Sequence, residues 1–158
     1  QCKHAPKTQY QIALANDPLT QDCTLLHSVQ AGPQLLPVNT AQAEAFIAMQ
    51  NNKLTRDPLG INTRNARSAV GITAQGSLIL LMAGMHAQAS QATGVTLDEL
   101  RQIMQQLGAV EAMALDGGSS SGFWTQSGMF WGKFNPKTHT PIQRPILSAL
   151  AIIKQKAK

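Results

Sequence analysis

Apolar side chains recur at helical spacing in one segment of the chain, between residues 97 and 107. The positions Leu97, Leu100, Ile103, Met104 and Leu107 lie on one face of a helix. Thr96 and Glu99 have the spacing of a capping box, in which each side chain binds the backbone N–H of the other residue. Gly108 follows as a helix stop. The pattern therefore predicts a helix over residues 97–107.

Runs of β-branched and aliphatic residues predict strands in the middle of the chain. Ala66–Thr73 and Ser77–Ala83 flank the turn residues 74–76 and predict a hairpin. Val110–Leu115 predicts a further strand. Because side chains alternate along a strand, Val110, Ala112 and Ala114 are expected on one face, together with Asp116.

Weaker patterns cover the remainder of the chain. Three further strands are predicted, over Tyr10–Ala15, Cys23–Val29 and Ile146–Ile153. Ala41–Met49 is rich in alanine and predicts a helix with Thr40 as its cap. Gln50–Asn65 is polar and broken by proline and glycine, so it is expected to be a loop, and Phe123–His139 is rich in turn residues. Together the segments predict an α+β fold: a mixed, largely antiparallel sheet with hairpins and a few packed helices.

The segment that follows the strand at Val110–Leu115 carries the strongest chemical signal. Asp116 is followed by Gly117, Gly118, Ser119, Ser120 and Ser121. Glycines allow a ligand to approach the backbone, and a carboxylate among N–H and O–H donors suits an oxygen-rich ligand such as a sugar or phosphate. A tight turn in which Asp116 caps its own loop explains the same residues.

Composition narrows the class of protein. A chain of 158 residues can bury the core of a single domain, spanning residues 1–158. The net charge of +5 is modest, and no basic stripe is interleaved with aromatic residues, which argues against a nucleic-acid partner. No apolar run reaches the ~20 residues of a transmembrane helix. The sequence requires no cofactor and leaves a divalent cation open.

Several segments, taken in order, resemble the motifs of the phosphodiester glycosidase family. Arg67–Ile72 is similar to its R-T-A-V-G motif, and Ala112–Ser121 is similar to its N-L-D-G-G-G-S-S motif. Between them, Gly94–Leu100 is similar to G-x-T-L-x-E-L. The resemblance extends upstream to the A-G-P-x-L motif at Gln30–Leu36 and downstream to the R-P-V strand at Arg144–Ala151.

The resemblance implies a hydrolase that cleaves the bond between a sugar anomeric carbon and a phosphodiester oxygen. It implies a carbohydrate or sugar-phosphate substrate and a secreted or periplasmic protein. Asp116 and Arg67 are then the expected catalytic residues. The expected substrate-binding residues are Gly117, Gly118, Ser119, Ser120, Ser121 and Arg144. An ion pair with Asp116 is a competing structural role for Arg67. Export favours a disulfide between Cys2 and Cys23 over two reduced thiols.

The chain also departs from the family's motifs. The motif asparagine is replaced by Ala114 and the third glycine by Ser119, an Asp-Gly-Arg motif is replaced at Ala83–His86, and the upstream N-G-G-F-F block is absent. The expected domain thus lacks the family's N-terminal portion. These departures favour an alternative function, a non-catalytic carbohydrate-binding or interaction domain of the cell envelope. Trp124, Phe130 and Trp131 fit either a sugar-stacking wall or a core beneath a long loop.

Overall fold

The computed structural model describes residues 9–14, 17–18, 24–89, 91 and 93–153. Within them the chain forms eight strands, one α-helix and one turn of 3-10 helix. In chain order these are β1 (Gln34–Leu36), β2 (Ala48–Gln50), β3 (Lys53–Arg56), β4 (Arg67–Thr73), β5 (Leu78–Ala83), α1 (Leu97–Gln106), β6 (Ala109–Ala114), the 3-10 turn (Gly118–Ser120), β7 (Gly122–Thr125) and β8 (Gly128–Trp131).

A four-stranded antiparallel sheet organises the fold, with the strands in the order β1-β6-β4-β5. Two separate hairpins, β2–β3 and β7–β8, complete the strands. Helix α1 packs against the sheet and shares its core, in which Leu35, Leu100, Met104 and Ala112 are fully buried. The α+β class is confirmed, although the described residues contain a single α-helix and are rich in strands.

Gly71 allows α1 to lie close to the sheet. A Cβ at this position of β4 would lie 2.5 Å from Met104 Cε and 3.0 Å from Ala109 Cβ. A side chain there would push the helix away from the strand, because a packed core has no space to absorb it.

The elements with the clearest sequence signals form as expected. The hairpin pairs Arg67 with Ala83 and runs in register to Ile72 with Leu78. Helix α1 carries the complete capping box of Thr96 and Glu99 and ends with Leu107 as its C-cap. Both elements depend on local sequence signals, which explains why the sequence identifies them.

The strand predicted at Val110–Leu115 forms one residue earlier, and Val110 is not on its buried face. The pairing of β4 with β6 shifts register between Ile72 and Thr73, so that Thr73 lies opposite Ala109. An irregularity of this kind moves the following residues to the other face of a strand. Ala109 is therefore buried and Val110 is half exposed.

The helix predicted at Ala41–Met49 is wrong. Glu44 N–H donates to the Thr40 carbonyl, but the turn stops at Ala45, where φ is 58°. The chain then places Ile47 in the core beside Ala41 and enters β2. Burial of these apolar residues overrides the helix propensity of the alanines.

The predicted loop Gln50–Asn65 contains strand β3. Asn51 and Asn52 form a two-residue turn with φ values of 50° and 59°, and Gln50 pairs with Lys53 across it. Two successive positive φ values are typical of a type I′ hairpin turn, and asparagine tolerates that conformation better than most residues.

The three strands predicted from weak patterns, over Tyr10–Ala15, Cys23–Val29 and Ile146–Ile153, are wrong. The described parts of the first two, residues 10–14 and 24–29, form no strand, and neither does Ile146–Ile153. Most of their apolar side chains are exposed, including Leu147, Ile152 and Ile153. Apolar composition alone does not make a strand when no neighbouring strand supplies hydrogen bonds. Cys2 and Cys23 lie outside the described residues.

Candidate functional site

The loop after β6 is fixed on the start of β4. Leu115 N–H donates to the Ser68 carbonyl at 2.8 Å, and Gly118 N–H donates to the Ala66 carbonyl at 2.8 Å. A Cβ at Gly117 would lie 3.0 Å from the same Ala66 oxygen, so this approach requires a glycine. Asp116 is thus held at the end of β6 by backbone contacts on both sides of it.

Asp116 borders an open cavity of about 1410 Å³. Its side chain is 69% exposed and accepts a hydrogen bond from Arg144 Nη2 at 3.2 Å. Asp116 is the one carboxylate among the described residues that line the cavity. The structure therefore brings together two of the predicted site residues, Asp116 and Arg144, which are separated by 28 positions in the sequence.

Arg67 has a different environment from the one expected for a substrate-binding arginine. The residue is 7% exposed, and its guanidinium group donates hydrogen bonds to four backbone carbonyls. The acceptors are Val95 at 3.3 Å, Leu59 at 2.9 Å, Gly60 at 2.6 Å and Thr63 at 3.0 Å.

These four bonds use four of the five N–H groups of the Arg67 guanidinium. Burial lowers the pKa of Arg67, and the negative charge of Asp57 partly offsets that effect. Asp116 makes its ion pair with Arg144 and not with Arg67. Arg67 therefore holds the segment Leu59–Thr63, and this placement favours a positioning role.

The predicted serines divide between the cavity and the interior. Gly117, Gly118, Ser119 and Ser120 line the cavity. Ser120 Oγ is buried and has no hydrogen-bond partner in the described part of the protein. Ser121 is 2% exposed, and its hydroxyl lies 3.1 Å from that of Ser68, so it packs beneath the loop.

Lys133 lines the same cavity, and the sequence did not identify it. It reaches the loop because Gly132 packs directly on Ser121. Gly132 N–H donates to the Ser121 carbonyl at 2.9 Å, and a Cβ at Gly132 would lie 2.5 Å from Ser121 Cβ. No family motif or sequence spacing connects Lys133 with Asp116. The two residues are brought to the same cavity because the chain after hairpin β7–β8 packs back on Ser121, which only the structure shows.

Three aromatic residues of hairpin β7–β8, Phe123, Trp124 and Phe130, are exposed, whereas Trp131 is partly buried. Trp124 is 70% exposed and lines the cavity together with Phe123, and Phe130 is also exposed. The alternative in which Trp124 and Phe130 form a core beneath a loop is therefore wrong, because these side chains face solvent. An exposed tryptophan at a cavity that also holds a carboxylate offers an apolar face to a sugar ring.

A comparison with protein families identifies the chain. The profile described as phosphodiester glycosidase matches residues 3–153. The chain belongs to the phosphodiester glycosidase family. The match includes the loop at Asp116, the segment after hairpin β7–β8 that carries Lys133, and Arg144.

Solved structures similar to this phosphodiester glycosidase chain are much longer. A "Putative exported protein" from Burkholderia pseudomallei K96243 is 28% identical, with a TM-score of 0.51, over 73% of this chain and 24% of that protein. A hypothetical protein from Synechocystis is 27% identical, with a TM-score of 0.39, over 61% of this chain and 18% of that protein. The chain thus spans less than a quarter of their lengths. A search of curated proteins gave no significant match.

Two further findings concern the described residues of this family member. No group of three or more His, Cys, Asp or Glu side chains among them could hold a metal ion. No helix in the described ranges is long and apolar enough to cross a membrane.

Proposed function

We propose that the site at Asp116 hydrolyses the bond between a sugar anomeric carbon and a phosphodiester oxygen. Membership of the phosphodiester glycosidase family supports this reaction. The observation that carries the proposal is the pair of Asp116 and Arg144 beside the Gly-Ser loop, at the edge of a cavity large enough for a glycosyl phosphate. The pair places one carboxylate and one guanidinium group where a substrate can reach both.

A phosphate leaving group is compatible with Asp116 as the one carboxylate among the described residues that line the cavity. Glycosidases usually pair two carboxyl groups, one of which protonates the glycosidic oxygen that departs with the leaving group. A phosphomonoester departs as a stable anion, since its second pKa is about 6, and needs no such acid. Water adds a hydroxyl group to the anomeric carbon, the bond from that carbon to the bridging oxygen breaks, and the phosphomonoester keeps that oxygen. The second proton of the water passes to the phosphomonoester or to the solvent. Asp116 is proposed to assist the attack at the sugar carbon.

Other residues at the cavity are proposed to bind the substrate. Trp124 presents an exposed ring on which the apolar face of a sugar can stack. Arg144 neutralises charge that develops as the bond breaks, and the backbone and hydroxyls of Gly117–Ser120 donate hydrogen bonds to oxygens of the substrate.

The test is release of free sugar and phosphomonoester from a panel of sugar-1-phosphodiesters. Asp116→Asn keeps the shape of the side chain but removes its charge, and we expect turnover to fall by about 10²-fold or more. Asp98→Asn is the matched control, because Asp98 is an exposed carboxylate on α1 outside the cavity. Full activity of Asp116→Asn would contradict the proposal. Binding of glycans by the wild type without any turnover would favour the alternative of a non-catalytic carbohydrate-binding domain.

We also propose that the protein is exported, as the name of the Burkholderia relative says of that protein. An oxidising compartment would keep Cys2 and Cys23 as a disulfide. Intact mass measured before and after reduction and alkylation tests this pairing. Two thiols that react without prior reduction would contradict it.

A further inference from the structure

Among the described cations that line the cavity, Lys133 is the one whose side chain has no partner in the described part of the protein. Arg67 donates to four carbonyls and Arg144 pairs with Asp116. The ammonium group of Lys133 makes no hydrogen bond or ion pair with any residue that the structure describes. Lys133 is half buried as a residue and lines the cavity.

The position of Lys133 is set by packing. Gly132 is buried against Ser121 and Ala66, and a Cβ on it would lie 2.9 Å from the Ser121 carbonyl oxygen and 3.1 Å from Ala66 Cβ. The Gly132 carbonyl accepts a hydrogen bond from Met85 N–H at 2.7 Å. These contacts fix the backbone immediately before Lys133 on the loop that carries Asp116.

The glycine loop brings the ammonium group close to the backbone. The position that a Cβ would occupy on Gly118 lies 3.9 Å from Lys133 Nζ. The same point lies 3.6 Å from the side-chain amide nitrogen of Asn65. An ammonium group and an amide thus lie beside Gly118, and the residue at the end of the same 3-10 turn, Ser120, has a buried hydroxyl without a hydrogen-bond partner in the described part of the protein. All three can donate hydrogen bonds to the oxygens of an anion.

We propose that Lys133 and the Gly118–Ser120 turn form a subsite for the phosphate group of the substrate. This inference rests on the proposed function and assigns the phosphate side of that reaction. Arg144 reduces the repulsion between the bound phosphate and Asp116, because its guanidinium group already pairs with that carboxylate. The subsite selects a glycosyl phosphodiester over a neutral glycoside, since a neutral leaving group gains nothing from the ammonium group.

The first experiment measures binding without turnover. Inorganic phosphate and dimethyl phosphate are titrated into the wild type, Lys133→Met and Lys137→Met, by calorimetry or NMR. Lys137 is the matched control, an exposed lysine a few positions along the chain that does not line the cavity. We expect Lys133→Met to lower the affinity for both anions about tenfold, and Lys137→Met to leave both affinities unchanged. A lower affinity of Lys133→Met for dimethyl phosphate identifies the diester as a ligand of the subsite. A lower affinity for inorganic phosphate alone would restrict the subsite to a phosphate ion and overturn the assignment to the diester.

Two further variants separate charge from folding. Lys133→Arg keeps a cation and should retain most of the binding, whereas Lys133→Gln should behave like Lys133→Met. A melting temperature equal to that of the wild type shows that each variant is folded. Equal loss of binding in Lys133→Met and Lys137→Met, unchanged binding in Lys133→Met, or no anion binding by the wild type would each overturn the inference.

The activity assay distinguishes this inference from the proposed function. If the wild type hydrolyses no sugar-1-phosphodiester but binds phosphodiesters through Lys133, the proposed reaction fails and the subsite stands. If turnover depends on Asp116 while Lys133→Met keeps the wild-type KM and anion binding, the reaction stands and the subsite fails.

Discussion

Replacement of Arg67 by lysine tests whether this residue holds the segment Leu59–Thr63 in place. The native guanidinium donates to four carbonyls over N···O distances of 2.6 to 3.3 Å. A lysine keeps the charge but lacks the planar fork, so its ammonium group can serve about two of these carbonyls. Hydrogen bonds to charged groups contribute about 1.5–3 kcal/mol each, and water can replace part of the loss. We expect Arg67→Lys to lower the free energy of unfolding by about 2–4 kcal/mol.

Urea denaturation followed by circular dichroism measures this loss, with the m value checked for two-state behaviour. Arg101→Lys is the control, because Arg101 makes an exposed ion pair with Asp98 on α1 and its replacement should change stability by less than about 0.5 kcal/mol. Pro58 and Leu59 line the cavity, so Arg67→Lys should also raise the KM for substrate. Stability of Arg67→Lys within about 0.5 kcal/mol of the wild type would show that the four carbonyl contacts are unimportant.

Three further predictions concern packing and the helix N-terminus. Gly132→Ala places a Cβ 2.5 Å from Ser121 Cβ and should cost about 1–3 kcal/mol in a urea melt, whereas Gly84→Ala, whose Cβ would make only ordinary contacts, should be near neutral. Thr96→Ala removes the acceptor for Glu99 N–H and should cost about 1 kcal/mol, which Thr96→Ser should largely restore. The hydrogen bond from Thr96 N–H is the main cause that lowers the pKa of Glu99 below its ordinary 4.5. The resulting stabilisation is complete above the pKa that Glu99 has in the unfolded chain, and it is lost as pH falls through the lower pKa of Glu99 in the folded protein. Glu99→Gln should therefore flatten the pH dependence of the free energy of unfolding in that acidic range.

The sequence identifies elements whose signals are local. Helix α1 has its capping box and its apolar face within eleven positions, and the β4–β5 hairpin has its turn between two matched strands. The segment Ala41–Met49 carries an equally local signal for a helix, yet burial of Ile47 against the sheet decides its conformation. Local patterns fail where a tertiary contact competes with them.

The candidate site shows the same limit. Asp116 and the adjacent glycines can be read directly from the sequence, and Arg144 follows from the resemblance to a family. The structural role of Arg67 depends on carbonyls of a loop that has no residue-specific signature. Lys133 enters the site because Gly132 fits against Ser121, and a glycine in a turn-rich segment gives no indication of which surface it will meet.

The unpaired segment at residues 145–153 affects how the protein behaves in concentrated solution. It carries no charged residue, and Leu147, Ile152 and Ile153 are among its most exposed side chains. Strand β5 is an edge strand of the sheet, and its outer backbone groups also remain open to another strand. An apolar segment of this length favours intermolecular β-structure, and the charges of Arg144 and Lys154 at its two ends, together with Pro145, oppose that growth. Solubility should therefore depend on these two flanking charges more than on the net charge of the chain.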